Sequence, residues 1–124
     1  MLKMEDRTKT LPSSYREKKR YIIFEVISEQ KIEFEELIKA VFSHTINLIG
    51  ILGVAKTNFR FLHDLYDREK QRFVLRCLPK DVELIRFALS LITEINEKRV
   101  CIRSLGVTGT IKSARRKYLE NFEY

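Results

Sequence analysis

Tyr21-Ile22-Ile23-Phe24-Glu25-Val26-Ile27-Ser28 decides the fold. Successive residues of a strand point to opposite faces, so Ile22, Phe24 and Val26 share one face and Tyr21, Ile23, Glu25 and Ile27 the other. Both faces are mainly apolar, which calls for cover on both sides. After Glu33 the period changes. Phe34, Leu37, Ile38, Val41, Phe42, Leu48 and Ile49 form a broad helical stripe, and Glu33, Glu35 and Glu36 sit at the positive end of that helix. Gly50 and Gly53 can end it. Residues 54–66 and 71–78 are rich in Phe, Val, Leu and Tyr and flank Asp67-Arg68-Glu69-Lys70, a pattern that predicts a hairpin of two antiparallel strands. Pro79 stops the second strand. Residues 80–96 then place Val82, Ile85, Leu89 and Ile92 at helical spacing, and a last strand spans roughly 98–107. Thr110 is the predicted N-cap of a short amphipathic helix with Ile111, Ala114, Tyr118 and Phe122 on one side.

Strand, helix, strand, strand, helix, strand is the split βαβ plan, so the expected class is an α/β (α+β) sandwich of ferredoxin-like or RNA-recognition-motif-like β-α-β-β-α-β topology. The expected divisions are a basic lead-in over 1–20, the α/β domain over 21–109, and a basic C-terminal helix over 110–124 on or beside the sheet. With Phe73, Leu75 and Cys77 toward the helices, Arg72, Val74 and Arg76 share the other face with Tyr21, Ile23 and Ile27. Tyr21, Ile23, Ile27 and Val74 make that face too apolar to stay bare, and the expected cover is another chain or the C-terminal helix.

Charge gathers at the two ends. Residues 1–20 carry seven Lys and Arg against three acids and residues 98–124 seven against two, so the formal net charge of +7 divides as +4, −2 and +5 from N-terminus to C-terminus. A neutral middle with basic ends suits a polyanion, because each cation near a phosphate releases counterions. The candidate RNA contacts are Arg16, Lys18, Lys19 and Arg20 in the lead-in and Lys112, Arg115, Arg116 and Lys117 in the last helix. Lys112, Arg115 and Arg116 fall at i, i+3 and i+4, on one side of that helix. Arg72 and Arg76 on the open sheet face complete the set.

Other chemistry finds little support. Residues 40–55 are the longest stretch without a charge, shorter than the roughly 20 apolar residues of a bilayer span. The first residues lack the apolar segment of a secretory signal, so no membrane is expected and the expected location is cytoplasmic. Cys77 and Cys101 lie in apolar runs and are expected to be buried free thiols; with His44 and His63 they lack the paired spacing of a zinc site, and no cofactor is expected on this chain. Lys70-Gln71-Arg72-Phe73-Val74 lacks the glycines and second aromatic of a base-stacking strand, which leaves Phe73 to the core. Gly50-Ile-Leu-Gly53 and Gly106-Val-Thr-Gly109 are expected to be turn glycines. His63 and Asp64, adjacent in a predicted strand, would point apart and make no catalytic pair. The chain alone is expected to be non-catalytic.

Leu11-Pro-Ser-Ser-Tyr-Arg-Glu-Lys-Lys-Arg-Tyr-Ile-Ile-Phe-Glu-Val26 resembles the start of the archaeal ribonuclease P protein component 2 family, and Gly106-Val-Thr-Gly-Thr-Ile-Lys-Ser-Ala-Arg-Arg-Lys-Tyr-Leu119 its C-terminal signature. The resemblance covers about residues 11–120. It implies an RNA-recognition-like fold in the ribonucleoprotein endonuclease that removes the 5′ leader from precursor tRNA. There the RNA is the catalyst, with magnesium expected on that RNA, and the family's proteins support its catalytic domain. The implied partners are ribonuclease P RNA, ribonuclease P protein component 3, precursor tRNA indirectly, and a second copy of this chain through self-association into a heterotetramer. The rival expectation is a ferredoxin-like protein-binding or small-ligand regulatory module with solubilising basic ends.

Overall fold

The computed structural model describes residues 18–57 and 59–119. Arg16 and Phe122 therefore lie outside the described residues. β1 (Arg20–Ser28) is the central strand of a five-stranded antiparallel sheet, with β3 (Arg72–Cys77) on one side and β5 (Lys98–Thr108) on the other. β2 (Arg60–Phe61) flanks β3 and β4 (Glu94–Ile95) flanks β5, giving the order β2-β3-β1-β5-β4. Helices α1 (Phe34–Thr57) and α2 (Val82–Ser90) cover one face. This is the expected ferredoxin-like arrangement with an added C-terminal helix.

Three boundaries differ from the sequence reading. Gly50, at φ 78° and ψ 166°, breaks α1 as expected of a glycine, but the helix resumes at Ile51 and runs to Thr57. Residues 54–57 are thus helical, and the first arm of the hairpin shrinks to Arg60–Phe61 and a 3₁₀ turn over His63–Leu65. The hairpin's own turn is as read. Asp67 Oδ1 accepts from the backbone N–H of Glu69 and Lys70 at 3.1 Å each, and Asp67 pairs with Arg72 across the loop. Likewise α2 stops at Ser90, and Glu94–Ile95 turns back on Lys98–Arg99 through Asn96 and Glu97, both at positive φ, the backbone of a two-residue hairpin turn.

The principal core lies between the sheet and the helices. Phe73 stacks between Phe24 and Phe61, with ring centroids at 5.2 and 5.0 Å, and Leu37, Val41, Ile85 and Leu89 close over it without exposure. Thr45, also buried, donates its hydroxyl to the Val41 carbonyl at 2.7 Å. Gln71 closes one end of this core at φ 52°: its side chain accepts from Ile32 N at 2.8 Å and donates to Val26 O at 3.1 Å. Length and composition alone would let α1 cross a bilayer, against the expectation drawn from the uncharged stretch. Leu37, Val41 and Thr45 are nevertheless buried against this domain, and Gly50 interrupts the helix.

The thiols divide. Cys77 is buried, and loss of solvation, aided by the charge of Asp81, raises its pKa to about 11. Cys101 is exposed, contrary to expectation, because it faces away from the helices between the inward-facing Val100 and Ile102.

Candidate nucleic-acid interface

The opposite sheet face is covered in part by the chain itself. Thr110 caps α3 (Ile111–Ala114), its hydroxyl accepting from Ser113 N at 3.1 Å, and the chain continues as a π-helical turn over Arg115–Leu119. Ala114 packs on Ile23, Val74 and Leu65 in a second cluster flanked by Tyr21, Leu105, Tyr118 and Leu119. Ile23 and Val74 are completely buried in it and have no free surface for another chain; Ile27, 47 % exposed, does. Tyr21 is half-buried. Ile111, read as part of the apolar stripe, is 40 % exposed.

Gly106 is a strand residue rather than a turn glycine. Opposite Ile23 the pairing slips by one residue, so that Phe24 faces Ser104 and Ile23 faces Gly106. A Cβ on Gly106 would collide with the hydroxyl end of the Tyr118 side chain. The missing side chain is what lets that ring lie against the strand.

Strand register unites the two basic ends of the sequence. Arg20 stands opposite Cys77, Tyr21 opposite both Arg76 and Thr108, and Arg60 opposite Arg76. The entry of β1, the exits of β3 and β5, and the start of α3 therefore share one end of the sheet. Lys18, Lys19, Arg20, Arg60, Arg76 and Lys112 gather there, from segments up to 94 residues apart in the chain. Lys112, Arg115, Arg116 and Lys117 are all exposed. Arg60 is the member sequence reasoning missed, since only the register of β2 on β3 brings it in.

Arg72 is occupied otherwise. Its Nε donates to Glu25 Oε2 at 3.0 Å and another guanidinium nitrogen to the Tyr118 carbonyl at 2.6 Å. Arg103 donates to Glu25 Oε1 from two nitrogens, at 3.1 and 2.8 Å. Burial alone would raise the Glu25 pKa, but the hydrogen bonds and charges of Arg72 and Arg103 outweigh it and hold the carboxyl below its ordinary value. Arg72 thus ties the C-terminal segment to β1 and offers little to RNA. His63 lies in a 3₁₀ turn rather than the predicted strand, its ring edge-on to Phe34 at 5.2 Å.

The profile of the Rpp14/Pop5 family matches residues 20–119, which is the described fold from β1 to the end of the C-terminal turn. The chain belongs to the Rpp14/Pop5 family. Its relatives include ribonuclease P protein component 2 of Thermococcus gammatolerans, 41 % identical over 96 % of this chain and 98 % of that one. The corresponding protein of Archaeoglobus fulgidus is 38 % identical over 90 % of this chain and 98 % of its own. The fold of this Rpp14/Pop5 member is also found in a cryo-EM structure of yeast ribonuclease MRP, with a TM-score of 0.60 over 76 % of each chain at 13 % identity. Family membership accords with the signatures at both ends, and the shared fold with the strand order.

Proposed function

We propose that this chain is the RNA-binding protein subunit of a ribonuclease P, assisting RNA-catalysed removal of the 5′ leader from precursor tRNA. The observation that carries the reading is the 41 % and 40 % identity, over 96 % of this chain, to two ribonuclease P component 2 proteins. The gathering of basic groups at one end of the sheet supports it physically. Lys18, Lys19, Arg20, Arg76, Lys112, Arg115, Arg116 and Lys117 neutralise phosphates of the folded RNA, so that its catalytic domain closes with less magnesium. The protein transfers no proton; magnesium is held by the RNA, and precursor tRNA meets this chain indirectly. The particle is cytoplasmic.

Protein partners belong to the same reading: ribonuclease P protein component 3, and a second copy of this chain completing a heterotetramer. Beyond the Gly50 break, Ile51 and Leu52 are 73 % and 77 % exposed, and Leu48 beside them 43 %. Exposed apolar side chains of this kind suit a protein partner. The experiment is native purification of the chain with its companions, followed by sequencing of the RNA and assay of precursor tRNA cleavage. One enriched structured RNA with cleaving activity is the expected result; protein companions without RNA would favour the regulatory-module reading. Replacing Ile51 and Leu52 with Glu is expected to release the protein companions while leaving the thermal midpoint of the isolated chain unchanged.

A further inference from the structure

Arg60 and Arg76 are direct cross-strand partners on β2 and β3. Like charges so placed repel one another and weaken a sheet. Among the described residues neither forms an ion pair, and Arg115 of the C-terminal turn, also without one, lines the same cleft. Among the described residues three guanidinium groups thus border one cavity against a single carboxylate, that of Asp64. The repulsion is relieved when an anion enters between them.

The shape of the cleft narrows the choice of anion. It encloses about 920 Å³, at the upper end of the range for pockets that hold compact ligands. Its remaining walls include Val54, Phe59, Leu62 and Ile111, all apolar. Guanidinium forks match phosphate oxygens, whereas an apolar wall suits the face of a base that has left its stack. A bare phosphate would use the charged side alone. An apolar peptide would strip water from three cations without replacing it. A duplex keeps its bases stacked inside and has none to offer. His63 and Asp64, also at the lining, can meet base edges or a 2′-hydroxyl.

We propose that this cleft takes one extruded nucleotide of a single-stranded RNA segment, its phosphate on Arg60, Arg76 and Arg115 and its base against the apolar wall. The assignment rests on the RNA-binding reading above and adds to it a base site and Arg60. The function as read from charge requires neither.

The test uses the full chain with a ten-nucleotide oligouridylate, a ten-base-pair RNA duplex and inorganic phosphate as probes, over a series of salt concentrations. Arg60→Gln is expected to weaken oligouridylate binding about tenfold, as loss of one charge-assisted hydrogen bond does. It should also flatten the plot of log K against log salt by about 0.7, the value for one phosphate contact on a single strand. Without RNA the same variant is expected to melt slightly higher than the parent, because the facing charges no longer repel. A purely structural Arg60 would move the midpoint down and leave the salt slope alone. Lys112→Ala, outside the cleft, is the comparator. Reduced binding in Lys112→Ala with unchanged affinity and slope in Arg60→Gln would overturn the cleft assignment and leave the RNA-binding reading standing. Equal competition by the duplex, or by inorganic phosphate at matched phosphate concentration, would overturn it too. Absence of any RNA from the native particle would remove the reading beneath it.

Discussion

The two faces of the sheet are built to different standards. On the helix side eighteen of the described residues are buried in one continuous core around the Phe24, Phe73 and Phe61 stack. On the other side four of the described residues are buried, Ile23, Leu65 and Val74 together with Ala114 from a single turn of α-helix that a π-turn follows. Hydrophobic stabilisation grows with the apolar area removed from water, so the helix face carries most of the stability. Among the described residues the second cover is held by the small cluster around Ala114, the Tyr118 ring over Gly106, and the Arg72 bond to the Tyr118 carbonyl. That lightly held cover carries Lys112, Arg115, Arg116 and Lys117. The segment whose cations are proposed to meet RNA is thus one whose local opening disturbs the fold least.

Breaking the heavier side gives the largest expected effect. Phe73→Ala removes the middle ring of the stack and is expected to destabilise by about 3–5 kcal/mol in urea unfolding. That is a large share of the roughly 5–15 kcal/mol that holds a domain folded. A loss below about 1 kcal/mol would show that the two faces are not so unequal. Gly106→Ala probes the lighter side: its methyl group displaces the Tyr118 ring, at a cost of about 1–3 kcal/mol for overpacking. Hydrogen exchange is expected to quicken over Ile111–Leu119 while the amides of Phe24 and Phe73 stay protected. Uniform quickening across the sheet would instead make the cover an integral part of the core.

The smallest expected effect is a pH dependence confined to the lighter side. With the Glu25 carboxyl held below its ordinary pKa in the folded chain, its contribution to stability is full above that ordinary value. It is lost as pH falls through the lower, folded value. Acidification in that window is therefore expected to loosen the link from Arg72 to Tyr118 before the helix-side core responds. Glu25→Gln removes this component, leaving a shallower acid limb in a plot of thermal midpoint against pH. An unaltered acid limb would mean that the Arg72 bond to Tyr118 holds without the carboxylate.

What could be read beforehand follows from the range of the interactions concerned. The central strands declare themselves locally, through alternation in Tyr21–Ser28 and in Arg72–Cys77, and the order of elements suffices for the topology. Residues 54–62 mislead because Val54, Phe59, Phe61 and Leu62 fit either period, and the helix resumes after the Gly50 break. Asn96-Glu97 lacks the glycine of a strong hairpin signal, which hides the short return through β4. The basic ends were visible as charge, but their union at one end of the sheet depends on register. Arg60 became significant only when paired with Arg76. Arg72 lost its candidacy to a carboxylate 47 residues away in the chain, a relation that no local pattern encodes.

The unequal thiols supply the molecule with a natural attachment point. Cys101 faces solvent beside Ile27, whereas Cys77 is buried with its thiol shifted to about 11. A maleimide dye at neutral pH would therefore enter at a single position without engineering, because the thiolate is the reacting form. That position lies near the β1 exit, at the opposite end of the strand from Arg20 and Tyr21. A fluorophore there can report distances to a labelled nucleic acid while leaving the arginine cleft unobstructed.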